Sequence, residues 1–153
     1  MQDVVSEKTL HSIYIPEGEM FKVDYSKRMS PGMANYHYHD EEHEIILFLG
    51  GICHCCIDAG MYELVRGSMA VMYKGINHYH RYNDIMEHEM YHIYLRDSYI
   101  KHFNSVTGTD LNDVLKNAAA IQLDEELLRY SAMVLKQIIE EDIPEKKDIC
   151  PAG

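Results

Sequence analysis

The stretch over residues 36–51, "YHYHDEEHEIILFLGG", contains the sequence pattern that is most informative about the fold. Its first half carries His37 and His39, which point to the same side if the segment is extended, because side chains on a strand alternate between faces. A turn over residues 40–43 would bring Glu44, at the start of the following apolar run, alongside the two histidines. The stretch therefore predicts two strands joined by a charged turn, with three polar side chains on one face.

The same rhythm of short apolar runs and turns extends from Ile13 to about Leu95. The runs are rich in Ile, Val, Tyr, Leu and Met, and the breaks between them contain glycine, asparagine or aspartate, which suit turns. Short strands at even spacing are typical of a sandwich or a barrel. At least six strands are predicted, in the segments EIILFLGG, ICHCCID, MYELV, MAVMY, HYHRY and HEMYHIYL.

After Arg96 the pattern predicts helices. Two short ones are expected in "DSYIKHFNSV", with Asp97 as the N-cap, and in "DLNDVLKNAAA". The clearest helix is "LDEELLRYSAMVLKQIIEE", where Asp124 can cap the first turn. Its apolar stripe either packs on the barrel or pairs with a second copy of the chain, and both interpretations stay open. The stripe consists of Leu127, Ser131, Val134, Leu135, Ile138 and Ile139, of which Leu127, Val134, Leu135 and Ile138 are the candidate dimerisation residues.

One domain is expected, since 153 residues suffice for one core. We expect a barrel over residues 1–96, a helical segment over residues 97–142 that packs on the barrel and dimerises, and a tail or linker over residues 143–153. The net charge of −11 would repel phosphate backbones, so we expect no nucleic-acid contact by this chain. The sequence shows neither a signal peptide nor an apolar run near the ~20 residues of a membrane span, so we expect a cytoplasmic protein without membrane contact.

Three of the four cysteines lie in "ICHCCID". On a strand only Cys53 and Cys55 share a side, so they could supply two thiolates to a metal. The alternative is small, buried, reduced side chains, which we favour because a disulfide framework is not expected in a cytoplasmic protein.

The segment "HEMYH", from His88 to His92, matches the H-E-x-x-H signature of zinc proteases. That signature requires a helix, where the two histidines lie about 6 Å apart, whereas on a strand they lie about 13 Å apart. The flanking residues alternate Tyr91, Ile93 and Leu95 with Met90, His92 and Tyr94, and they follow a series of strands. We therefore predict a strand, with a helix as the alternative, which makes a zinc hydrolase the least favoured function.

A different set of four residues offers a metal site across separate strands. His37, His39 and Glu44 would be joined by His78, which begins a strand after Gly75. Three nitrogen ligands and one oxygen ligand suit Zn, Fe, Mn, Ni or Cu and leave coordination positions open. The alternative is that these side chains line a pocket and form hydrogen bonds to one another or to a polar ligand.

The order of these residues resembles the paired motifs of the cupin superfamily. Gly32, the two histidines, Glu44 and Gly51 follow the first motif, and Gly67, Tyr73, Gly75 and His78 follow the second. The resemblance implies a double-stranded β-helix with His37, His39, Glu44 and His78 at the four metal-ligand positions. Two positions depart from the second motif: Tyr73 stands where proline is usual, and the asparagine after the last histidine is displaced to Asn83.

A narrower resemblance covers nearly the whole chain. The segments "YHYHDEEHEIILFLGG", "YELVRGSMAVMYKGINHYHRY" and "YHIYLRDSYIKHF", followed by the last helix, are similar to the amino-terminal sensor domain of AraC-type transcription regulators. The resemblance implies a cupin-type jelly-roll barrel around a small-molecule effector, dimerisation through C-terminal helices, and DNA binding by a domain that this chain lacks. The chain would then be part of a longer regulator or a stand-alone relative.

The effector would contact inward-facing residues of the barrel, for which we select Ile46, Phe48, His80 and Tyr82. The runner-up function is a metal-dependent cupin enzyme of the dioxygenase, isomerase or decarboxylase type, with His80 or Tyr82 moving a proton. A sensor binds its effector without a chemical reaction, so we expect no enzyme activity. The remaining histidines are expected to be structural: His43, His54, His88, His92 and His102.

Overall fold

The computed structural model describes residues 9–10, 15–29 and 36–141. Gly32 and the predicted tail over residues 143–153 lie outside the described residues. Ten strands and three helices occur in the described ranges: β1 (Thr9–Leu10), β2 (Phe21–Met29), β3 (His37–Tyr38), β4 (Glu42–Gly50), β5 (Cys53–Ile57), β6 (Gly60–Leu64), β7 (Ser68–Met72), β8 (His78–Tyr82), β9 (Glu87–Arg96), α1 (Asp97–Thr107), α2 (Leu111–Asn117), β10 (Ala120–Gln122) and α3 (Glu125–Glu141).

The strands form two five-stranded sheets. The first has the order β1-β3-β8-β5-β6 and the second the order β10-β7-β4-β9-β2, with antiparallel pairing throughout except between β1 and β3. From β1 to β5 and from β6 to β9, successive strands alternate between the sheets, as in a jelly roll, whereas β5 and β6 are paired neighbours in the first sheet. The fold is a mainly β, cupin-type double-stranded β-helix with C-terminal helices, which confirms the predicted fold class.

The side chains between the sheets form an apolar cluster over much of the interior. Along β4 the inward residues are Ile46 and Phe48, which lie opposite Met90 and its neighbours on β9. Cys53 and Cys55 reach the same cluster from β5. The apolar cluster comprises Ile46, Phe48, Cys53, Cys55, Ile57, Leu64, Ala70, Met72 and Met90. Its members are nearly inaccessible to solvent, so this part of the barrel is closely packed.

The helices cover the outer face of the second sheet. Leu128 and Leu135 of α3 pack on Leu47 and Tyr91, which point outward from β4 and β9. The predicted cap of this helix is confirmed, since the Leu127 amide donates to the Asp124 carboxylate at 2.8 Å. A further cluster joins the same sheet to α1 and α2 through Val71, Leu95, Ile100 and Leu115.

Two of the four candidate dimerisation residues pack against the barrel of their own chain. Leu135 is 8% exposed, and Ile138 packs on the same cluster, because both lie on the side of α3 that faces the barrel. Leu127 is 47% exposed, and Val134 is half-buried. Dimerisation therefore stays a prediction that now rests on the exposed side of α3.

Two local predictions between residues 97 and 122 need correction. Asp97 is not the N-cap of α1: Arg96 occupies that position, and the Asp97 carboxylate instead contacts His43 and Lys74. The predicted second helix does not continue through "AAA", because it ends at Asn117 and β10 follows. β10 pairs with β7, where it satisfies backbone groups that the edge of the sheet would otherwise leave unpaired.

None of the helices in the described ranges is both long enough and apolar enough to cross a membrane.

Candidate functional site

The four residues selected from the sequence meet inside the barrel. One ligand atom from each of His37, His39, Glu44 and His78 lies within 4.8 Å of the others. All four side chains are buried. The structure therefore brings together the predicted set, which is of a size and chemistry that could hold a metal ion.

Strand pairing explains how distant parts of the chain reach this point. His37 on β3 is the cross-strand partner of His78 on β8, and their rings lie 4.2 Å apart. The Gly75 amide donates to the His39 carbonyl oxygen at 2.7 Å, which holds the segment after β3 against the approach to β8. Glu44 enters from the opposite sheet on β4, after a bend at Asp40 and Glu41. The turn predicted over residues 40–43 is shorter than expected, because Glu42 and His43 already belong to β4 and are buried.

Glu44 is the centre of the site. Its Oε2 lies 2.9 Å from His39 Nε2 and 3.2 Å from His78 Nε2, and its Oε1 lies 3.1 Å from His92 Nδ1. Burial by itself raises the pKa of Glu44, but the hydrogen bonds offered by His39, His78 and His92 outweigh it and hold the pKa well below its ordinary value. Glu44 is therefore a carboxylate despite its burial.

The ring of His78 is oriented as a metal ligand would be. Its Nδ1 lies 3.0 Å from the Ile76 carbonyl oxygen, which can only accept, so Nδ1 carries the proton. Nε2 is then the nitrogen that faces Glu44 Oε2 and the rest of the four-residue set. A backbone carbonyl on the far nitrogen is a common arrangement for metal-bound histidine.

The distances also suit a transition-metal ion. With bonds of about 2.1 Å, neighbouring ligand atoms lie about 3.0 to 3.4 Å apart. The separations of 2.9 Å and 3.2 Å between Glu44 and the rings of His39 and His78 are close to these values. The residues present therefore fit a divalent metal by donor type and by the proximity of their ligand atoms, all of which lie within 4.8 Å of one another.

His92, expected from the sequence to be structural, lies beside the four-residue set. It lies on β9 opposite Ile46, facing the interior, and contacts the Glu44 carboxylate. The hydroxyl of Tyr94 lies 3.3 Å from the same His92 nitrogen. The alternation along β9 was visible in the sequence, but which of its two faces points inward required the pairing with β4.

The predicted strand over "HEMYH" is confirmed, since residues 88–92 all lie in β9. His88 and His92 make separate contacts: His88 Nε2 donates to the Ile52 carbonyl oxygen at 3.0 Å, far along the strand from Glu44. Among the described residues the metal-competent group does not include this pair. The zinc-protease interpretation has no support in this geometry.

The four residues selected for effector contact all face the barrel interior. Ile46 and Phe48 are part of the apolar cluster, and Tyr82 packs against it. His80 lies two residues beyond His78 on β8, and its ring centre is 5.6 Å from that of His78. Within the described residues neither ring nitrogen of His80 has a hydrogen-bond partner. Burial lowers the pKa of His80 to about 4.

The site approaches solvent along β2, at the edge of the second sheet. The side chain of His92 is 19% exposed, while that of Glu44 is 5% exposed. Asp24 and Lys22 are the cross-strand partners of His92 and Tyr94, and they form an ion pair at 3.2 Å. Because the Lys22–Asp24 ion pair lies on the same face of the second sheet as His92, the interior is most accessible to solvent on the side of β2.

Other polar residues singled out from the sequence have structural surroundings. His43 is fully buried, with Nε2 donating to Asp97 at 3.0 Å and Nδ1 accepting from the Lys74 amide. His54 pairs with Glu63 on the outer surface. Burial raises the pKa of Cys53 to about 12 and also raises that of Cys55, so both remain thiols, as predicted.

Comparisons with solved structures return cupin proteins. The cupin domain of Cnp3 from Schizosaccharomyces pombe aligns with a TM-score of 0.49 at 11% identity, over 64% of this chain and 69% of that one. A cupin-2 domain protein from Shewanella frigidimarina aligns with a TM-score of 0.43 at 21% identity, over 53% and 76%. A predicted oxalate decarboxylase from Thermotoga maritima aligns with a TM-score of 0.44 at 16% identity, over 48% and 64%.

A search of curated proteins returns no match. A family model does match: the one described as the AraC-like ligand binding domain covers residues 25–145. The match spans most of the barrel and all three helices. The chain therefore belongs to the family of AraC-like ligand-binding domains.

Proposed function

We propose that the chain is the effector-sensing domain of an AraC-type transcription regulator. A small molecule enters the barrel, and a separate domain contacts DNA in the cytoplasm. The observation that carries the proposal is the buried histidine cluster, defined as His37, His39, Glu44, His78 and His92, inside a barrel of this family. Polar groups concentrated within an otherwise apolar interior are the usual mark of a small-molecule site.

The proposal includes a divalent transition metal held by His37, His39, Glu44 and His78. Zn, Fe, Mn, Ni and Cu all suit three imidazole nitrogens and one carboxylate oxygen. When bound, the metal supplies a Lewis acid with positions free for an oxygen or nitrogen atom of the effector. The protein's own part is to hold the four side chains in place and to keep them from bulk water, since all are buried.

Metal analysis of the purified chain tests this site. We expect stoichiometric metal in the unaltered protein, and its loss in His37→Ala and Glu44→Ala because each substitution removes one ligand. His54→Ala, which removes an exposed histidine on the outer surface, is the matched control and should retain the metal. Full retention in both ligand variants would refute the assignment.

The effector is proposed to act through β4. Ile46 and Phe48 point into the barrel, whereas Leu47 between them packs under α3. Because Ile46 and Phe48 are closely packed, a ligand reaches them by displacing neighbouring side chains of the apolar cluster. That displacement biases the packing of the helix on the outer side, which shifts the population of two arrangements of α3. His80 and Tyr82 would contribute the polar contacts to the effector.

Dimerisation is proposed through the exposed side of α3. Leu127, Tyr130 and Met133 are each about half exposed, which is an unusual apolar surface for an isolated helix face. We expect Leu127→Asp to convert a dimer to a monomer in sedimentation, because a charge at that surface opposes its burial. Val106→Asp on the exposed side of α1 is the control. An unchanged dimer in Leu127→Asp would exclude this surface.

A metal-dependent enzyme remains the second candidate, because the four-residue set leaves metal positions open beside His80. The two functions differ in what happens to the bound molecule. Incubation of the metal-loaded chain with a cellular small-molecule extract, followed by mass spectrometry, separates them. A sensor returns its ligand unchanged, whereas an enzyme depletes one compound and accumulates another.

A further inference from the structure

Glu44 is held at both of its carboxylate oxygens by different groups. Oε2 faces His39 and His78, which belong to the four-residue metal set. Oε1 faces His92 Nδ1 at 3.1 Å, and His92 is not a member of that set. The carboxylate accepts, so the His92 nitrogen donates. One oxygen is therefore directed at the metal site and the other at a separate donor.

This division is important because a carboxylate torsion is soft. The terminal torsion of a glutamate side chain is broad and nearly two-fold, so without a fixed partner either oxygen, or both, can turn toward a cation. A hydrogen bond to Oε1 selects Oε2 as the ligand atom. Groups that orient metal ligands in this way typically contribute about 10- to 100-fold to metal affinity.

The donor is itself held by rigid structure. His92 lies in the middle of β9, which pairs with β4 on one side and β2 on the other. The register places His92 opposite Ile46, one inward position from Glu44 on the neighbouring strand. Because both residues are fixed by continuous strand pairing, the hydrogen bond is formed before any metal arrives.

We propose that His92 is a positioning residue that orients Glu44 for metal binding without being a ligand. This inference rests on the proposed metal site. It accounts for a partly buried histidine on β9 that the metal-ligand set leaves out. His92 acts through the hydrogen bond from Nδ1 and not through the size of its ring.

Two substitutions separate these contributions. His92→Phe keeps a ring of similar size and removes the donor. His92→Asn places an amide nitrogen at the position of Nδ1, so it restores the donor in a smaller side chain. Co²⁺ titrated into the metal-free full chain, followed by calorimetry and by the visible absorption of the bound ion, gives the dissociation constant and reports the ligand geometry.

We expect His92→Phe to bind Co²⁺ about 10- to 100-fold more weakly, with an altered absorption band, and His92→Asn to recover most of the affinity. His54→Phe, on the outer surface, should match the unaltered protein and controls for histidines that bind metal non-specifically. Circular dichroism and thermal unfolding verify that each variant is folded. If His92→Phe does not fold, the affinity of His92→Asn for Co²⁺ still tests the role of the hydrogen bond.

The outcomes are distinguishable. If the unaltered chain binds no Co²⁺, the metal site fails and the role of His92 fails with it. If the unaltered chain and His92→Phe bind equally, the positioning role is overturned while the metal site stands. Equal weakening in folded His92→Phe and His92→Asn would also overturn the role, because it would assign the effect to the ring and not to the hydrogen bond.

Discussion

The histidine cluster and the apolar cluster occupy the same barrel and are both largely shielded from solvent, yet they are stabilised differently. Phe48, Leu64 and Met72 are stabilised by close packing. The histidine cluster depends on one carboxylate, because both oxygens of Glu44 are shared among three rings. The comparison indicates that the apolar cluster supplies stability and the histidine cluster supplies a preformed binding site at some cost in stability.

The largest expected effect is on the apolar cluster. Phe48→Ala should lower the free energy of unfolding by about 3 to 5 kcal/mol, because it leaves a cavity at a fully buried position. Urea unfolding measures the change. Phe103→Ala on α1, where the ring is only half-buried, is the matched control and should cost clearly less. Equal losses at both positions would contradict the assignment of the main core to the barrel interior.

The next effect is confined to the histidine cluster. Free Co²⁺ at about 100 times its dissociation constant should raise the free energy of unfolding by about 2.7 kcal/mol in the unaltered chain, because the ion binds the folded state. The same increment is expected in Cys55→Ala, within the apolar cluster, and none in Glu44→Ala. A smaller increment in Cys55→Ala would show that the two clusters are coupled. Thermal or urea unfolding with and without the ion provides the measurement.

The smallest effect, taken over the first pH unit below 6.5, is a pH dependence at the boundary between the clusters, where His80 lies. Burial lowers its pKa to about 4, with the rings of His78, His92 and His37 adding to the effect and the charge of Glu44 opposing it. Above pH 6.5, the ordinary pKa of histidine, the side chain of His80 is neutral in both the folded and the unfolded chain. Between about pH 6.5 and 4 the unfolded chain binds a proton at this residue and the folded chain does not. The free energy of unfolding therefore falls as the pH falls, by at most about 1.4 kcal/mol per pH unit.

His80→Phe removes this proton uptake. In a chelating buffer, its unfolding free energy should depend less steeply on pH than that of the unaltered chain between pH 6.5 and 4. His102→Phe, at an exposed position on α1, serves as the control and should keep the original slope. Identical slopes in all three proteins would mean that His80 is protonated as readily in the folded chain as in the unfolded one.

Much of this architecture was predictable because it depends on local patterns. The period of two in "HYH" places His37 and His39 on one side, and the spacing to Glu44 leaves room for one turn. The strand over residues 88–92 followed from alternation and from its place in a series of strands. Both the predicted barrel and the cap at Asp124 are confirmed.

The missed features depend on contacts between distant segments. β10 forms because β7 offers an unpaired edge, which outweighs the helical tendency of three alanines. The orientation of α3 on Leu47 and Tyr91 selects Leu135 for the core and leaves Leu127 outside. A helical stripe indicates which residues are apolar, but it does not indicate which of two neighbouring surfaces they cover.

The strands, their alternation and the grouping of His37, His39 and Glu44 follow from the sequence alone, because each depends on periods and spacings within short segments. His78, on a separate strand, was added from the order of the paired motifs. The contact of His92 with the second oxygen of Glu44 follows instead from the fold, since it depends on the register between β4 and β9. A register shift of one residue would turn His92 outward. Register is set by the packing of the whole barrel and cannot be read from either strand alone.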